Sequence, residues 1–78
     1  MPADPLHEVF ASALNLPLTA IGEQLTYRSV PHWDSISHMA LVAALESRYQ
    51  IMLETQDVLD LNSVAQARQI LKKYGVSP

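Results

Sequence analysis

The chain has 78 residues, a formal net charge of −3 and no cysteine, which leaves room for one domain (1–78) and excludes disulfides, a thiolate nucleophile and cysteine-based zinc sites. A chain this short buries too little surface to be more than marginally stable. Residues 33–62 hold five acids and one base, against three acids and four bases elsewhere; this acidic middle argues against nucleic acid as a partner and suits a protein with a basic patch.

Taken in chain order, the N-terminal stretch MPADPLHEVF has no basic region followed by an apolar one, so no signal peptide and a cytoplasmic location are expected. The first helix is well marked. Asp4 can cap it, Pro5 suits its first position, and Leu6, Val9, Phe10, Ala13 and Leu14 form one stripe. Pro17 marks its end. Residues 16–33 lack periodicity and read as a long loop, with a turn of helix around residues 20–24 and Leu18, Ile21, Leu25 and Val30 as its anchors.

A second helix is expected from Ser35 to Tyr49 with Asp34 as N-cap. It carries two apolar stripes. Leu41, Val42, Leu45 and Tyr49, with His38 among them, hold the larger side chains and are assigned to the core. Ile36, Met39, Ala40 and Ala43 lie roughly opposite, a face left over for a partner. The longest apolar run, residues 39–45, is too short to span a bilayer. Ile51 and Leu53 alternate with Met52 in a short extended connector. Thr55 can cap a short third helix over 56–61, contributing Val58, Leu59 and Leu61 to the interior. Ser63 with Gln66 makes a capping box for a fourth helix, whose stripe is Val64, Ala67, Ile70, Leu71 and Tyr74. Lys72 and Lys73 suit its C-terminal end and Gly75 its C′ position. Four helices and no strand predict an all-α domain, a four-helix bundle with a long first loop and a short third helix.

Ser35 stands at the start of the second helix beside Asp34, His32 and His38. A hydrolase needs a base within reach of the hydroxyl and an acid behind that base. Asp34 is instead engaged at the helix start, and the G-x-S-x-G elbow is missing. His32, His38 and His7 have no metal-ligand spacing, so neither catalytic residues nor a metal site are expected. Two readings of Ser35 remain from the residues alone. It is a second cap or first-turn residue, or its hydroxyl carries a phosphate at the electropositive helix end, where the first N–H groups lack partners.

The stretch WDSISHMALVAALESRYQI resembles the attachment region of acyl carrier proteins, which have an Asp-Ser-Leu motif at the start of the second helix. The likeness continues with an apolar residue four after the serine (Met39), a Leu-Glu pair at ten and eleven (Leu45, Glu46) and an aromatic at fourteen (Tyr49). The order and lengths of the other elements also resemble that family. The resemblance implies that a phosphopantetheinyl transferase, with magnesium, attaches 4′-phosphopantetheine from coenzyme A to Ser35. Acyl groups would then be held as thioesters on its thiol and passed between acyl-loading and acyl-using enzymes by a monomeric protein that is not itself an enzyme. It also implies that Asp34 is the motif acid, and that Ile36, Met39, Ala40, Ala43, Glu46, Asp57 and Asp60 lie on surfaces read by partners.

The sequence departs from the family in several places. Isoleucine replaces the motif leucine at 36, and Ser37, Ala40 and Ser47 stand where several fatty-acid members have carboxylates. Docking is therefore expected to lean on apolar contacts. Trp33 precedes the motif, as in stand-alone carriers of specialised pathways that handle glyceryl or other small hydroxyacyl units. His38 falls near where the family encloses its acyl chain, and a polar residue there suits a short or polar cargo. Two alternatives stay open: an aminoacyl or peptidyl carrier, although VPHWDS lacks their glycine-rich approach, and an unmodified helical adaptor.

Overall fold

The computed structural model describes residues 4–76; the other positions of the expected 1–78 domain lie outside the described residues. Among those described are four α-helices: α1 (Pro5–Leu14), α2 (Ser35–Tyr49), α3 (Thr55–Asp60) and α4 (Val64–Lys73). A 3-10 turn occupies Leu18–Ala20, and a single isolated bridge joins Thr26 to Ser63. The architecture is all-helical, as expected, and no described helix is long and apolar enough to cross a membrane.

Three helices start where a side chain accepts from an N–H that the helix leaves unpaired. Asp4 accepts from Leu6 N at 3.0 Å, Asp34 from Ser37 N at 2.9 Å, and Ser63 from Gln66 N at 3.0 Å. α3 differs. Its N-cap residue is Glu54 rather than Thr55, with no side-chain cap of its own. The Glu54 N–H donates instead to the Tyr74 hydroxyl beyond α4, at 2.9 Å, so α3 is capped from another element. α1 and α2 end on left-handed residues, Asn15 and Gln50, whose N–H groups close the last turn. Gly75, at φ 79°, follows α4 as expected.

The buried side chains form one contiguous core. α1 supplies Leu6, Phe10 and Leu14, α2 supplies Leu41, Val42 and Leu45, and α4 supplies Val64, Ala67, Ile70 and Leu71. These are the members of the three expected stripes that face inward. The connector behaves as its alternation predicts, with Leu53 buried and Met52 exposed. The expectation for α3 needs correction, because Leu61 is buried but Leu59 is 70 % exposed.

The long loop is held more firmly than its sequence suggests. Ile21 is buried, and Leu25 and Val30 pack against the core, but Leu18 remains exposed. The helical turn falls at Leu18–Ala20 and not around 20–24, because Pro17 presets the backbone (φ −66°) and its carbonyl accepts from Ala20 N. Further on, Tyr27 N donates to Asn62 O and Val64 N to Leu25 O, which lays the loop along the α3–α4 junction. Arg68 completes the fastening. Its guanidinium donates to both oxygens of Glu23 at 2.8 and 3.0 Å and to Asp4 at 2.8 Å, and His7 pairs with Glu23 at 2.9 Å. One cluster thus ties α4, the loop and the cap of α1.

Arg68 first, and then His7, hold the Glu23 carboxyl at about 2, against its ordinary 4.5. A folded-state value below the unfolded one contributes stability that is complete above pH 4.5 and is lost as the pH falls towards 2. Glu23→Gln is therefore expected to lower stability at pH 7 by about 1 kcal/mol or less, since solvent screens a half-exposed carboxylate. The difference from the parent protein shrinks between pH 4.5 and 2. Thermal melts at stepped pH check both.

Candidate functional site

The site is built from the residues that start α2. Asp34 is extended at φ −105° and caps the helix. Its carboxyl is held below the usual range, first by the Ser37 N–H bond, so it stays ionised against the positive end of the helix. Ser35 is thereby the first helical residue and is exposed. Among the described residues its hydroxyl has no hydrogen-bond partner, so the capping function belongs to Asp34 and leaves the Ser35 oxygen free.

Trp33, immediately before the cap, is 0 % exposed. It packs edge-on against Phe10, with ring centroids 5.4 Å apart, and lies nearly parallel to His38 at 6.2 Å. Residues 33 and 38 are the N′ and N4 positions of α2, the pair that forms a hydrophobic staple. A hydrogen bond strengthens this staple: the indole Nε1–H donates to His38 Nδ1 at 3.0 Å. Backbone bonds from Arg28 N to Trp33 O and from Trp33 N to Val30 O hold the approach to the serine. The entry angle of the chain into α2, and hence the place of Ser35, is set by a buried ring.

An indole N–H can only donate, so His38 Nδ1 accepts and the imidazole proton sits on Nε2. That N–H donates to the Val58 carbonyl of α3 at 2.9 Å. Both nitrogens of His38 are engaged, and neither is left to act as a base for Ser35. Among the described residues no group of three metal-capable side chains comes together.

A cleft of about 290 Å³ opens beside Ser35, lined by Tyr27, Ser35, His38, Met39, Val58, Leu59 and Leu61. The sequence placed Ser35, Met39 and His38 here. It did not single out Tyr27, an isolated aromatic in an aperiodic loop, nor an outward Leu59. The Tyr27 ring packs against His38 at 5.2 Å, and the Arg28 guanidinium lies 5.7 Å from the Tyr27 centroid.

The expected partner-reading residues divide into two groups. Ile36 (81 % exposed), Met39 (58 %), Ala40 and Ala43 are exposed on one stripe of α2 beginning next to Ser35. The acids do not fit as well. Asp57 is 2 % exposed and bonded to Lys73 and the Tyr74 hydroxyl, and those partners, Lys73 first, hold its carboxyl below the usual range. It fastens α3 to the end of α4, so its expected place on the docking surface is corrected. Glu46 is half-buried and accepts from Leu53 N at 2.8 Å, which engages it with the connector. Asp60 is half-buried and accepts from Gln56 at 3.1 Å. Sequence spacing locates a helix face but not a tertiary partner, and Tyr74 and Lys73 lie too far along the chain for spacing to reveal them.

A family model described as "Phosphopantetheine attachment site" matches residues 4–71. No match was found among curated proteins or among solved structures.

Trp33→Phe keeps a ring in the core but removes volume and the donor to His38. A cost of about 1–3 kcal/mol is expected from the space left and the unpaired acceptor. Urea unfolding measures it.

Proposed function

The chain belongs to the phosphopantetheine-attachment family, whose members bear a covalently attached 4′-phosphopantetheine group, and on that premise we propose that it is an acyl carrier protein modified at Ser35. The observation that carries the reading is the exposed, unengaged hydroxyl of Ser35 at the start of α2, with Asp34 doing the capping. The surroundings fit the group. The unpaired N–H groups and the dipole of a fifteen-residue helix favour a phosphodiester at that oxygen. The apolar cleft beside it offers somewhere for the attached chain to lie.

The proposed modification joins the Ser35 oxygen to the phosphorus of the pantetheine phosphate of coenzyme A. The pyrophosphate bond breaks, and adenosine 3′,5′-bisphosphate leaves with the serine proton accounted for in the leaving group or solvent. The bound group supplies a terminal thiol on which acyl units are carried as thioesters. The chain's own residues orient and present it: Asp34 and Trp33 fix the oxygen, and the stripe of Ile36, Met39, Ala40 and Ala43 gives the transferase and the acyl-handling enzymes an apolar surface to dock on. With Asp57 and Glu46 engaged inside the fold, docking depends on that stripe more than on carboxylates. An acyl cargo is favoured over an aminoacyl one by the approach VPHWDS, which lacks a glycine-rich turn, and by the apolar cleft lining.

Incubation with coenzyme A, magnesium and a broad-specificity transferase is expected to raise the mass by one phosphopantetheine. Ser35→Ala is expected to abolish the gain; a folded protein that gains nothing with several transferases is instead an adaptor. Ile36→Asp is expected to leave the melting temperature unchanged, because the side chain is exposed, but to lower transferase kcat/KM by about tenfold, which corresponds to roughly 1.4 kcal/mol of docking energy. Loading kinetics on matched protein samples check this.

A further inference from the structure

Among the residues lining the cleft beside Ser35, His38 is the one whose polar atoms join two helices. It sits on α2, and its Nε2–H reaches the carbonyl of Val58 in the last turn of α3, where a helix has no donors of its own for its carbonyls. Its other nitrogen is held by the indole of fully buried Trp33. The imidazole cannot tilt away from Val58 without also giving up Trp33. The Tyr27 ring packs over one face of the imidazole, while the indole holds its edge.

α3 itself has six residues and no side-chain cap of its own. Its first turn is fastened to the far end of α4 through Tyr74 and Lys73. On the α2 side, the His38–Val58 bond is the cross-helix hydrogen bond seen among the described residues. Any movement of α3 away from α2 would have to break this bond as well as the packing of Val58 and Leu61 on the core. At the mouth, by contrast, Met39 and Leu59 stand open to solvent.

We propose that His38 is a specificity-determining residue: its paired hydrogen bonds latch α3 to α2 and close the inner end of the cleft, restricting this carrier to short acyl units that rest at the mouth on Met39 and Leu59. This rests on the carrier reading above. A short unit gains contact with those two side chains without disturbing the latch. A longer chain must displace the imidazole, leaving a buried indole N–H and a helix carbonyl unpaired, which the first few methylenes do not offset. The remainder of such a chain stays in water. Both imidazole nitrogens being engaged, His38 acts by shape and fastening and not by bonding to the cargo.

The test loads the apo protein with acetyl-, hexanoyl- and dodecanoyl-coenzyme A through a broad-specificity transferase, confirms each product by mass, and compares melting temperatures. Enclosure raises the melting temperature by roughly 3 °C or more per buried methylene in a domain of this size. The latch predicts a flat series for the parent protein. It predicts a rising series for His38→Leu, which keeps the bulk but cannot bond, and for His38→Ala, which opens the floor. A rising series in the parent protein overturns the proposal without reference to either variant, and flat series in the variants overturn the role given to His38. Protein that takes up no acyl-phosphopantetheine from any donor counts against the carrier reading itself. Protein that loads at Ser35 but encloses the long chain counts against the latch alone.

Discussion

The start of α2 is the constraint on which the rest depends. A helix leaves its first N–H groups without partners, and something must accept from them. Here Asp34 does so, and Trp33 locks the approach by burying its ring and bonding to His38 one turn into the helix. With both tasks assigned to neighbours, Ser35 has no structural duty. Ser35 is an exposed residue at the positive end of the longest helix, which is the placement the proposed attachment requires.

The remainder of the molecule supports that arrangement with few resources. The core is small, and the segments with least helix are fastened by polar clusters. Arg68 holds the long loop and the cap of α1 through Glu23 and Asp4, and Asp57 with Lys73 and Tyr74 holds α3. The price of the second fastening is surface charge, because it takes the Asp57 carboxylate into the interior. What α2 presents next to Ser35 is an apolar stripe. The proposed docking on that stripe and the proposed latch on the cleft are consistent with one another, since both describe a carrier that keeps little of its cargo hidden.

The helices were legible where local chemistry declares them. The Asp4–Pro5 start of α1, the Asp34 cap and both ends of α2, and the Ser63 cap of α4 rest on neighbours within a turn, which periodicity and capping rules read directly. What was not legible depends on residues distant in the chain. Thr55 looked like the cap of α3, yet that helix takes its cap from Tyr74. Asp57 looked like a surface acid, yet Lys73 and Tyr74 draw it inside. The loop offered no period, so the turn at Leu18–Ala20 and the packing of Tyr27 could not be placed. Trp33 and His38 did carry a signal, because an aromatic at N′ of a capped helix and a ring at N4 are the two halves of a staple, and both positions follow from the Asp34 cap.

The most direct measurement compares the unfolding free energies of Asp34→Ala and Ser35→Ala in the unmodified protein. A hydroxyl that bears no structural duty predicts that removing it changes stability by no more than about 0.5 kcal/mol, as for an ordinary surface position, while losing the Asp34 carboxylate clearly destabilises the fold. If Ser35→Ala proved as destabilising as Asp34→Ala, the serine oxygen would be part of the cap, and the free attachment point at the head of α2 would not exist.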